Sequence, residues 1–418
     1  MQRHRSENEA NIASASLRRS IGLTGLVLYG LGVTIGAGIY VLVGETVLRA
    51  GEFAPASFLL SAFVMAFTAG AFAELVGRVP KAAGEANYIE AAFRLAPLTV
   101  IIGLAILIEA MIAAAAITVG ASGYVAQVIP LPQPALIVLI IVVMATVAAW
   151  GIRETVIIAG IMTVAEVAGL LVIIGAGIGS DSEILASLPR ALVPPLSDWV
   201  AVSGVFSASL IAFFAYIGFD DVVNLVEEAR NPRRIMPWAL GLTLLIVTLL
   251  YVLVSHISAT AIPVAEFKTT TAPISLLFER LTGFSPLTIT LVAILATMNG
   301  VGIILVMAAR VTYGMARERR LPAWIGKVNP HTRTPLRATV LVATIVLGLA
   351  LFTPLDTLAE TTSEVLLSVF VFVNAALVWL KIRRVPAPQG TFTVPLAVPV
   401  LGAIFCLFLL IAGKISGA

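Results

Sequence analysis

The chain has 418 residues, of which 59% are hydrophobic and only 12% are charged, and its mean hydropathy is +1.04. A soluble domain carries about 25% charged residues, so this composition excludes a chain of water-soluble domains, each of which needs a polar surface. It predicts an integral membrane protein whose apolar side chains face lipid. The formal net charge is +3, and the single cysteine and three histidines are scattered along the chain. No disulfide within the chain, no metal site and no cofactor are therefore predicted.

The N-terminal segment is polar and basic as far as Ser20, and a long apolar segment follows it. It has no small-residue cleavage site after a short apolar core, so we expect the first helix to be retained and residues 1–21 to form a cytoplasmic tail. A membrane-spanning helix needs roughly 20 mostly apolar residues. Eleven runs meet this requirement, and they are Gly22–Val47, Ala54–Val76, Pro97–Ile129, Pro134–Gly151, Thr155–Gly179, Ser203–Val226, Pro237–Ile262, Ser285–Met315, Arg337–Phe352, Leu358–Leu380 and Val394–Ala412.

Lysine and arginine are concentrated in alternate loops between these runs. Most of the 26 basic residues fall on the side of the N-terminus, including Arg78, Arg230 and the cluster Arg317–Arg320. Short loops rich in Lys and Arg stay in the cytoplasm, so the N-terminus is predicted to be cytoplasmic in a plasma membrane, the inner membrane of a bacterium. This interpretation of the basic clusters is favoured over nucleic-acid binding, which is not predicted. Eleven spans then place the C-terminus outside.

The first apolar run is unusually rich in glycine. It contains Gly30, Gly32, Gly36 and Gly38, and each glycine costs a helix about 1 kcal/mol relative to alanine. In lipid, a broken backbone is tolerated only where it is buried in protein or lines a cavity. The pattern alone therefore supports two interpretations equally, which are a broken helix and the close packing of small residues between helices.

The sixth apolar run contains a second irregular stretch, Phe213–Asp221, in which Gly218 is followed by the adjacent carboxylates of Asp220 and Asp221. An aspartate inside the membrane is costly and usually faces the interior of the bundle. The first and sixth spans begin the two halves of a five-plus-five arrangement and run in opposite directions. Inverted repeats of this kind form a substrate site from discontinuous helices at equivalent positions. Their free N–H groups bind a carboxylate and their free carbonyls bind an ammonium group, so the site suits a zwitterion.

The predicted fold is therefore an all-α membrane protein built from an inverted repeat. Residues 22–179 are predicted to form the first repeat with helices 1 to 5, and residues 203–384 the second repeat with helices 6 to 10. Residues 180–202 form an extracytoplasmic loop between them, and residues 385–418 add an eleventh helix.

Four stretches occur in the order and at the helices expected for a known family. They are Gly32–Leu42, Ala73–Leu75 with Pro80 and Gly84, Ala215–Pro232, and Arg310–Pro322. In these stretches the chain resembles the amino acid–polyamine–organocation superfamily of permeases. Ile108 and Glu109, with the stretch Gly120–Tyr124, are similar to its cationic amino acid transporter branch. The resemblance implies a five-plus-five (LeuT-like) core of ten helices with breaks in helices 1 and 6, and about 11 transmembrane helices in this chain.

The resemblance also implies a substrate site at the two breaks. The substrate carboxylate would meet the backbone of Gly36, Ala37 and Gly38, and the ammonium group would meet carbonyls of both segments, with Phe214 as a gate. Two departures from the family pattern matter: Ala37 stands where many members have serine or threonine, and many members have twelve spans. The predicted substrate-binding residues are Thr34, Ile35, Gly36, Ala37, Gly38, Phe214, Ala215, Ile217 and Gly218.

Glu109, Glu166 and Asp220 are the acids predicted to lie deepest in apolar runs, and they are the candidates for coupling and gating. Some proton-coupled members of the family that the chain resembles have a lysine at the similar position of the fifth helix, and its ammonium group lies where related transporters bind sodium. This chain has the carboxyl group of Glu166 there instead. Burial favours the neutral form of a carboxyl group, so Glu166 is predicted to carry a proton. The alternative is a structural acid that is hydrogen-bonded to a neighbouring helix. Asp220 is predicted either to link substrate occupancy to movement of its half-helix or to cap that half-helix. Glu74 is interpreted as a solvated or paired acid near the cytoplasmic ends.

These observations predict a secondary active transporter of amino acids or related amines, working by alternating access as a proton symporter in contact with membrane lipid. No phosphate-binding loop is present, so the energy is predicted to come from a gradient or from exchange and not from direct ATP hydrolysis. Two alternatives stay open: an exchanger of an amino acid for its decarboxylated amine and, in a different class, a channel, which needs a continuous polar pore. Enzymatic activity is not predicted, because no nucleophile–base or metal constellation occurs. No oligomeric state is predicted.

Overall fold

The fold is known from a computed structural model that describes residues 20–81, 84–150, 156–180, 183–317, 321–329 and 334–417, without the side chains of residues 37, 156–159 and 417. Apart from one isolated bridge between Ile21 and Ala229, the regular structure in these ranges is helical. The helices are α1 Leu23–Ala50, α2 Ala54–Arg78, α3 Gly84–Phe93, α4 Ala96–Ala126, α5 Gln133–Trp150, α6 Val156–Ser180, α7 Ile184–Ala191, α8 Trp199–Phe214, α9 Pro232–Ala261, α10 Val264–Phe267, α11 Pro273–Thr282, α12 Leu287–Arg317, α13 Leu336–Phe352, α14 Leu355–Ile382 and α15 Ala397–Gly417.

Long apolar helices account for the predicted spans. In the described ranges, eight apolar stretches are long enough to cross a membrane, and three shorter apolar helices accompany them. They divide among α1, α2, α4, α5, α6, α8, α9 and α12 to α15, which are the eleven predicted runs. Their starts carry ordinary signals: proline lies in the first turn of α2, α4 and α9, and the carboxylate of Asp198 accepts the N–H groups of Val200 and Ala201, both at 3.1 Å, at the start of α8.

The packing of these helices has the symmetry of an inverted repeat. The five spanning helices of the first repeat are equivalent, in order, to the five of the second: α1, α2, α4, α5 and α6 correspond to α8, α9, α12, α13 and α14. α1 packs on α6 of its own repeat and on α9 of the other repeat. The equivalent pairs, α8 with α14 and α8 with α2, also pack together. The pairs α2 with α9 and α4 with α12 are in contact across the two halves. The predicted five-plus-five core is confirmed, and α15 covers it by packing on α2, α8 and α14.

One part of the fold prediction is wrong: α1 is a continuous helix from Leu23 to Ala50 and is not broken at its glycines. The structure supports the other interpretation of these glycines, which is close packing between helices. A Cβ on Gly30 would lie 2.7 Å from Oγ1 of Thr243, and one on Gly36 would lie 3.2 Å from the carbonyl oxygen of Ala296. Neighbouring helices therefore approach the α1 backbone at contact distance, and the packing gained there offsets the low helix propensity of glycine.

The predicted break in the sixth span is present. α8 ends at Phe214, a turn follows, and residues Asp220–Leu225 form a 3-10 helix before α9 begins at Pro232. The span is shorter than the predicted run Ser203–Val226, because the chain leaves the α-helical path before the two aspartates.

A buried ion network fixes the ends of α2 and α14. Glu74 is fully buried, and its carboxylate accepts hydrogen bonds from the Nε of Arg78 at 2.9 Å and from the backbone N–H of Val394 at 2.8 Å. The ammonium group of Lys381 lies 2.7 Å from the same carboxylate. Of the two interpretations of Glu74, solvated or paired, the structure gives the paired one. The network also holds the segment that leads from α14 into α15.

We predict that Glu74→Ala lowers the free energy of unfolding by about 3 kcal/mol, because it removes the buried carboxylate that the half-buried cations of Arg78 and Lys381 share. Glu74→Gln, which keeps one carbonyl oxygen as an acceptor, is expected to cost less. Thermal unfolding of the purified protein in detergent measures both, with Glu90→Ala as the control because Glu90 is an exposed acid near the same face. An equal melting temperature for Glu74→Ala and this control would contradict a stabilising role for the network.

Candidate functional site

The break after α8 depends on a glycine. Gly218 has a φ of +101°, in the left-handed region that favours glycine. A Cβ at this position would also lie 2.7 Å from Cγ1 of Val33 and 3.1 Å from its carbonyl oxygen, so the turn sits directly on the α1 backbone. The N–H of Gly218 donates to the carboxylate of Asp220 at 3.1 Å. Gly218 therefore allows both the turn and the close approach of α1.

A buried tyrosine joins the break to α1. The hydroxyl group of Tyr251, on α9, lies 2.8 Å from the carbonyl oxygen of Thr34 and 3.0 Å from that of Ala215, and it can donate its proton to either. Tyr216, within the break, donates to the carbonyl of Phe58 on α2 at 3.0 Å. The carbonyl of Ala215, which the break leaves free, thus obtains a donor from a side chain, as the membrane interior requires, and the same hydroxyl groups tie the break to α1 and α2.

The structure brings the two predicted segments of the substrate site together. Gly38 abuts Ala215, where a Cβ on Gly38 would meet Cα of Ala215 and would lie 2.7 Å from its carbonyl oxygen. Thr34 and Phe214 are buried, with 2% and 4% of their surfaces exposed. Ile35 is fully buried in the main apolar cluster, and Ile217 is half-buried beside it. The side chain of Ala37 lies outside the described part of the structure.

The backbone groups of α1 are not free in this arrangement. Because α1 is helical through Gly36 and Gly38, its amide groups bond within the helix, and the carbonyl of Thr34 also accepts from Tyr251. The hydroxyl group of Thr34 donates to the carbonyl of Gly30 at 2.7 Å. Binding of a carboxylate by the Gly36–Gly38 backbone stays a prediction, and it requires α1 to open there.

Glu166 lies at the junction of α1, α6 and α12. Only 2% of its surface is exposed, and both carboxyl oxygens lie 3.7 Å from the Cβ position of Gly36. The carbonyl oxygen of Ala296 approaches the same point to 3.2 Å. Neither carboxyl oxygen has a hydrogen-bond partner among the described residues. A buried charge without a partner is costly, so this group is suited to hold a proton.

A tyrosine also holds the backbone at Glu166. Tyr40 on α1 donates its hydroxyl proton to the carbonyl of Glu166 at 2.8 Å, and Tyr124 on α4 donates to the carbonyl of Tyr40. These two contacts tie α6 to α1 and α1 to α4. Sequence reasoning missed them, because a tyrosine in an apolar run does not reveal which carbonyl it contacts.

The other two candidate acids belong to a carboxyl cluster of Glu85, Glu109, Asp220 and Asp221. Glu109 on α4 and Asp220 after the break are buried, with 6% and 8% of their surfaces exposed, and the four carboxyl groups are close enough to repel one another. One carboxyl oxygen of Glu109 has no partner among the described residues. Asp220 accepts the Gly218 amide, two residues before it, so this bond closes the turn and is not a cap of the 3-10 helix that follows.

Glu85, which the sequence did not single out, lies on the short helix α3 outside the spanning helices. Burial raises its pKa from the ordinary value of 4.5 to about 8, and repulsion from Asp220 and then Asp221 adds to the shift, while its own backbone amide opposes it. α3 packs on the break itself, since a Cβ on Gly84 would lie 2.6 Å from Cγ2 of Val223. Its position directly after Gly84, in a stretch that carries the family resemblance, was the available signal.

Comparison with known proteins decides the family. The family model described as "Amino acid permease" matches residues 21–417, which is nearly the whole described chain. The chain belongs to the amino acid permease family. It is 30% identical to the branched-chain amino acid permease BcaP of Bacillus subtilis, over 96% of this chain and 90% of that protein. It is 32% identical to the vacuolar cationic amino acid transporter 2 of Arabidopsis thaliana, over 89% of this chain but only 61% of that protein.

Other relatives of the permease differ in their named cargo. The methylthioribose transporter of Bacillus subtilis is 28% identical over 96% of this chain and 89% of that protein. A crystal structure of a histidine-to-alanine mutant of the manganese transporter from Eremococcus coleocola shares the fold, with a TM-score of 0.63 over 94% of this chain and 86% of that one. Its sequence identity is 15%, so the likeness concerns the fold alone. The permease is a transporter and not an enzyme, as predicted.

We predict that Gly38→Ala separates α1 from the break, because the new methyl group cannot fit against Ala215. The melting temperature of the purified permease should fall, and amino acid binding should weaken by about tenfold or more, as for a misplaced binding group. Gly241→Ala on α9 is the matched control, since a Cβ there meets nothing within 4 Å. It should be neutral or slightly stabilising. Equal behaviour of the two variants would contradict the close contact.

We further predict that Glu85 makes stability depend on pH. Because its pKa is higher in the folded state, the folded permease binds an extra proton between pH 4.5 and about 8. The resulting stability is fully present below pH 4.5 and is lost as the pH rises towards 8. Glu85→Gln should flatten the fall of the melting temperature between pH 5 and pH 8, whereas Glu90→Gln, an exposed acid of the same helix, should not. An unchanged slope in Glu85→Gln would contradict this assignment.

Proposed function

We propose that this permease is a proton-coupled symporter that carries zwitterionic amino acids across the plasma membrane of a bacterium by alternating access. The observation that supports it is the position of Glu166. A carboxyl group that has no hydrogen-bond partner in the described ranges lies against Gly36, in the segment of α1 where the substrate is predicted to bind. Proton binding and substrate binding would therefore take place at the same segment of α1.

The substrate class follows from the groups at the break and from the relatives. The carbonyls of Thr34 and Ala215 converge on one donor, the hydroxyl of Tyr251. An ammonium group carries three donors and would replace that hydroxyl at one or both carbonyls. The names of two relatives specify branched-chain and cationic amino acids, so the shared part of the cargo is its amino acid backbone.

The proposed coupling uses the close packing around Glu166. A neutral carboxyl group allows α1, α6 and α12 to stay together without solvent. Loss of the proton would leave a buried charge without a partner among the described residues, so the charged form favours a conformation in which water reaches the group. In this scheme the proton stabilises the closed arrangement of α1, and its release accompanies opening. Asp220 keeps its two proposed roles, and its bond to Gly218 supports a structural role in the turn.

Several contacts support a cytoplasmic N-terminus. The backbone N–H of Ser20 donates to the carbonyl of Glu228 at 3.0 Å, so the start of α1 and the end of the sixth span lie at one face. The same face carries Arg230 and Arg233. The ends of α2 and α14 bring two further basic residues together, Arg78 and Lys381, which both pair with Glu74. A face rich in Lys and Arg stays in the cytoplasm.

The decisive experiment is uptake of labelled leucine, lysine and alanine by purified permease in liposomes, with and without an inward proton gradient. We expect accumulation into empty vesicles that requires the gradient, and we expect Glu166→Gln to abolish the gradient dependence while facilitated equilibration continues. Glu90→Gln is the control, since it removes an exposed carboxylate.

Three outcomes would contradict the proposal. Uptake that occurs only into vesicles preloaded with an amino acid or its amine would identify an exchanger. Accumulation driven by a sodium gradient at fixed pH would exclude proton coupling. Gradient dependence retained in Glu166→Gln would remove Glu166 from the coupling step and leave the proposed cargo intact.

A further inference from the structure

The C-terminal ends of α3 and α14 meet at one face of the permease and bring aromatic rings and arginines together. Phe93, the last residue of α3, packs on Trp379 of α14 with 6.0 Å between the ring centroids. The guanidinium group of Arg383, directly after α14, lies over the Trp379 ring at 4.7 Å from its centroid. This distance is typical of a cation–π contact, so the ring holds Arg383 in place. We call the group of Arg94, Trp379, Arg383 and Arg384 the α3–α14 corner.

Among the described residues, the three arginines of the corner have no acidic partner. Arg94, Arg383 and Arg384 are all exposed, and none of them forms an ion pair in the described ranges. The remaining cation at the end of α14 is already bound by Glu74. Glu90, one turn before Arg94 on α3, is an exposed acid that is not paired with it in these ranges. The corner therefore carries a net positive charge that attracts an anion.

Two of these arginines occupy backbone positions that favour glycine. The φ angle is +53° at Arg94 and +54° at Arg384, in the left-handed region. Both positions end a helix: the N–H of Arg94 donates to the carbonyl of Glu90 at 2.9 Å, and the N–H of Val385 donates to that of Leu380 at 3.0 Å. Glycine makes such turns at a lower cost. The turns alone therefore do not account for a long cationic side chain at either position.

An exposed apolar stripe runs from the corner along α14 into the membrane. Phe372 and Trp379 are seven residues apart, so they lie on one face of the helix, and Arg383 follows on that face one turn later. The exposed fractions of Phe372 and Trp379 are 40% and 39%, and Leu95, which follows Arg94, is 55% exposed. Tryptophan is enriched where the membrane meets water. The stripe thus presents an apolar part, an interfacial ring and a cation, in the order in which a phospholipid presents its acyl chain, its glycerol region and its phosphate.

We propose that the α3–α14 corner binds one anionic phospholipid, whose phosphate bridges Arg94 and Arg383 and whose acyl chain lies along Trp379 and Phe372. The planar guanidinium group donates two parallel hydrogen bonds to phosphate oxygens, which suits it to this headgroup. Basic residues beside a spanning helix attract anionic lipids. A zwitterionic lipid brings a cation to the same arginines and binds less well. The proposal depends on the location of the chain in a membrane and not on the proposed cargo or coupling.

The bound lipid stabilises the packing of α3 at the break. A phosphate shared by Arg94 and Arg383 ties the end of α3 to the end of α14. α3 also packs on the 3-10 helix after the break, through the contact of Gly84 with Val223. A lipid that binds this arrangement more tightly than any other shifts the conformational equilibrium towards it.

The test is a titration of the purified full chain in detergent with phosphatidylglycerol, or with phosphatidylcholine of the same acyl chains, followed by native mass spectrometry. We expect one phosphatidylglycerol per chain to bind at lower concentrations than phosphatidylcholine. Arg94→Gln and Arg383→Gln should each weaken this binding by about fivefold, the effect of one basic residue near an anionic headgroup, and together by about 25-fold. Arg234→Gln is the matched control, because it removes an exposed arginine of α9 outside the corner.

Charge-conserving variants and melting temperatures distinguish recognition from a general loss of structure. Arg94→Lys and Arg383→Lys keep the charge and should lose less affinity than the glutamine variants, although lysine lacks the planar fork. Phosphatidylglycerol should raise the melting temperature of the wild type and of Arg234→Gln. It should leave that of the double variant Arg94→Gln with Arg383→Gln unchanged. Each comparison is made within one variant, so a lower starting stability does not obscure the result.

Three results would overturn the inference. Equal losses of affinity in Arg234→Gln and Arg383→Gln would show a general attraction of lipid to the basic face. Equal affinities for phosphatidylglycerol and phosphatidylcholine would exclude recognition of the headgroup charge. Displacement of phosphatidylglycerol by an equal concentration of inorganic phosphate would identify a site for free anions. None of these results affects the proposed cargo or coupling, which the uptake measurements test separately.

Discussion

The structure depends on how the backbone is satisfied where α8 ends inside the membrane. Lipid offers no hydrogen bonds, so each N–H and C=O released by a break needs a partner within the protein. Tyr251 supplies a donor to Ala215, Asp220 supplies an acceptor to Gly218, and the 3-10 turn supplies the rest locally. Because the donor of Tyr251 also reaches Thr34, the same side chain fixes the distance between the break and α1.

This constraint explains why α1 can be glycine-rich and still continuous. The break lies so close to α1 that any side chain at Gly38 would displace it, and the bond from Tyr251 requires that closeness. Glycine at such positions is retained for its small volume. The same glycines make α1 inexpensive to unwind, at about 1 kcal/mol each relative to alanine. A helix that is closely packed and weak in propensity is suited to open when a ligand offers new bonds to its backbone.

Much of the fold could be predicted from the sequence, because hydropathy and the alternation of basic loops act over whole spans. The break at Gly218 was predictable, since two carboxylates cannot remain in an apolar helix. The break expected in α1 was wrong, because glycine lowers propensity without saying whether packing compensates. Glu85 was missed because a charge in a loop sequence suggests solvent, and its burial arises only when α3 packs on the 3-10 helix. The burial of Glu166 was predictable, since it interrupts an uncharged run, and its role in coupling stays a prediction.

Two carboxyl groups lie along α1 at different depths, those of Glu45 and Glu166, and their spacing has a physical reason. Glu45 and Gly36, which contacts Glu166, are nine residues apart, or about 14 Å along the helix. Val41 lies between them, and its contact with Gly120 of α4 forms an apolar floor. A charged ligand crossing that floor loses its hydration, so each side must offer replacement partners. The carboxyl groups of Glu45 and Glu166, on either side of this apolar layer, would meet this requirement in the transport proposed above.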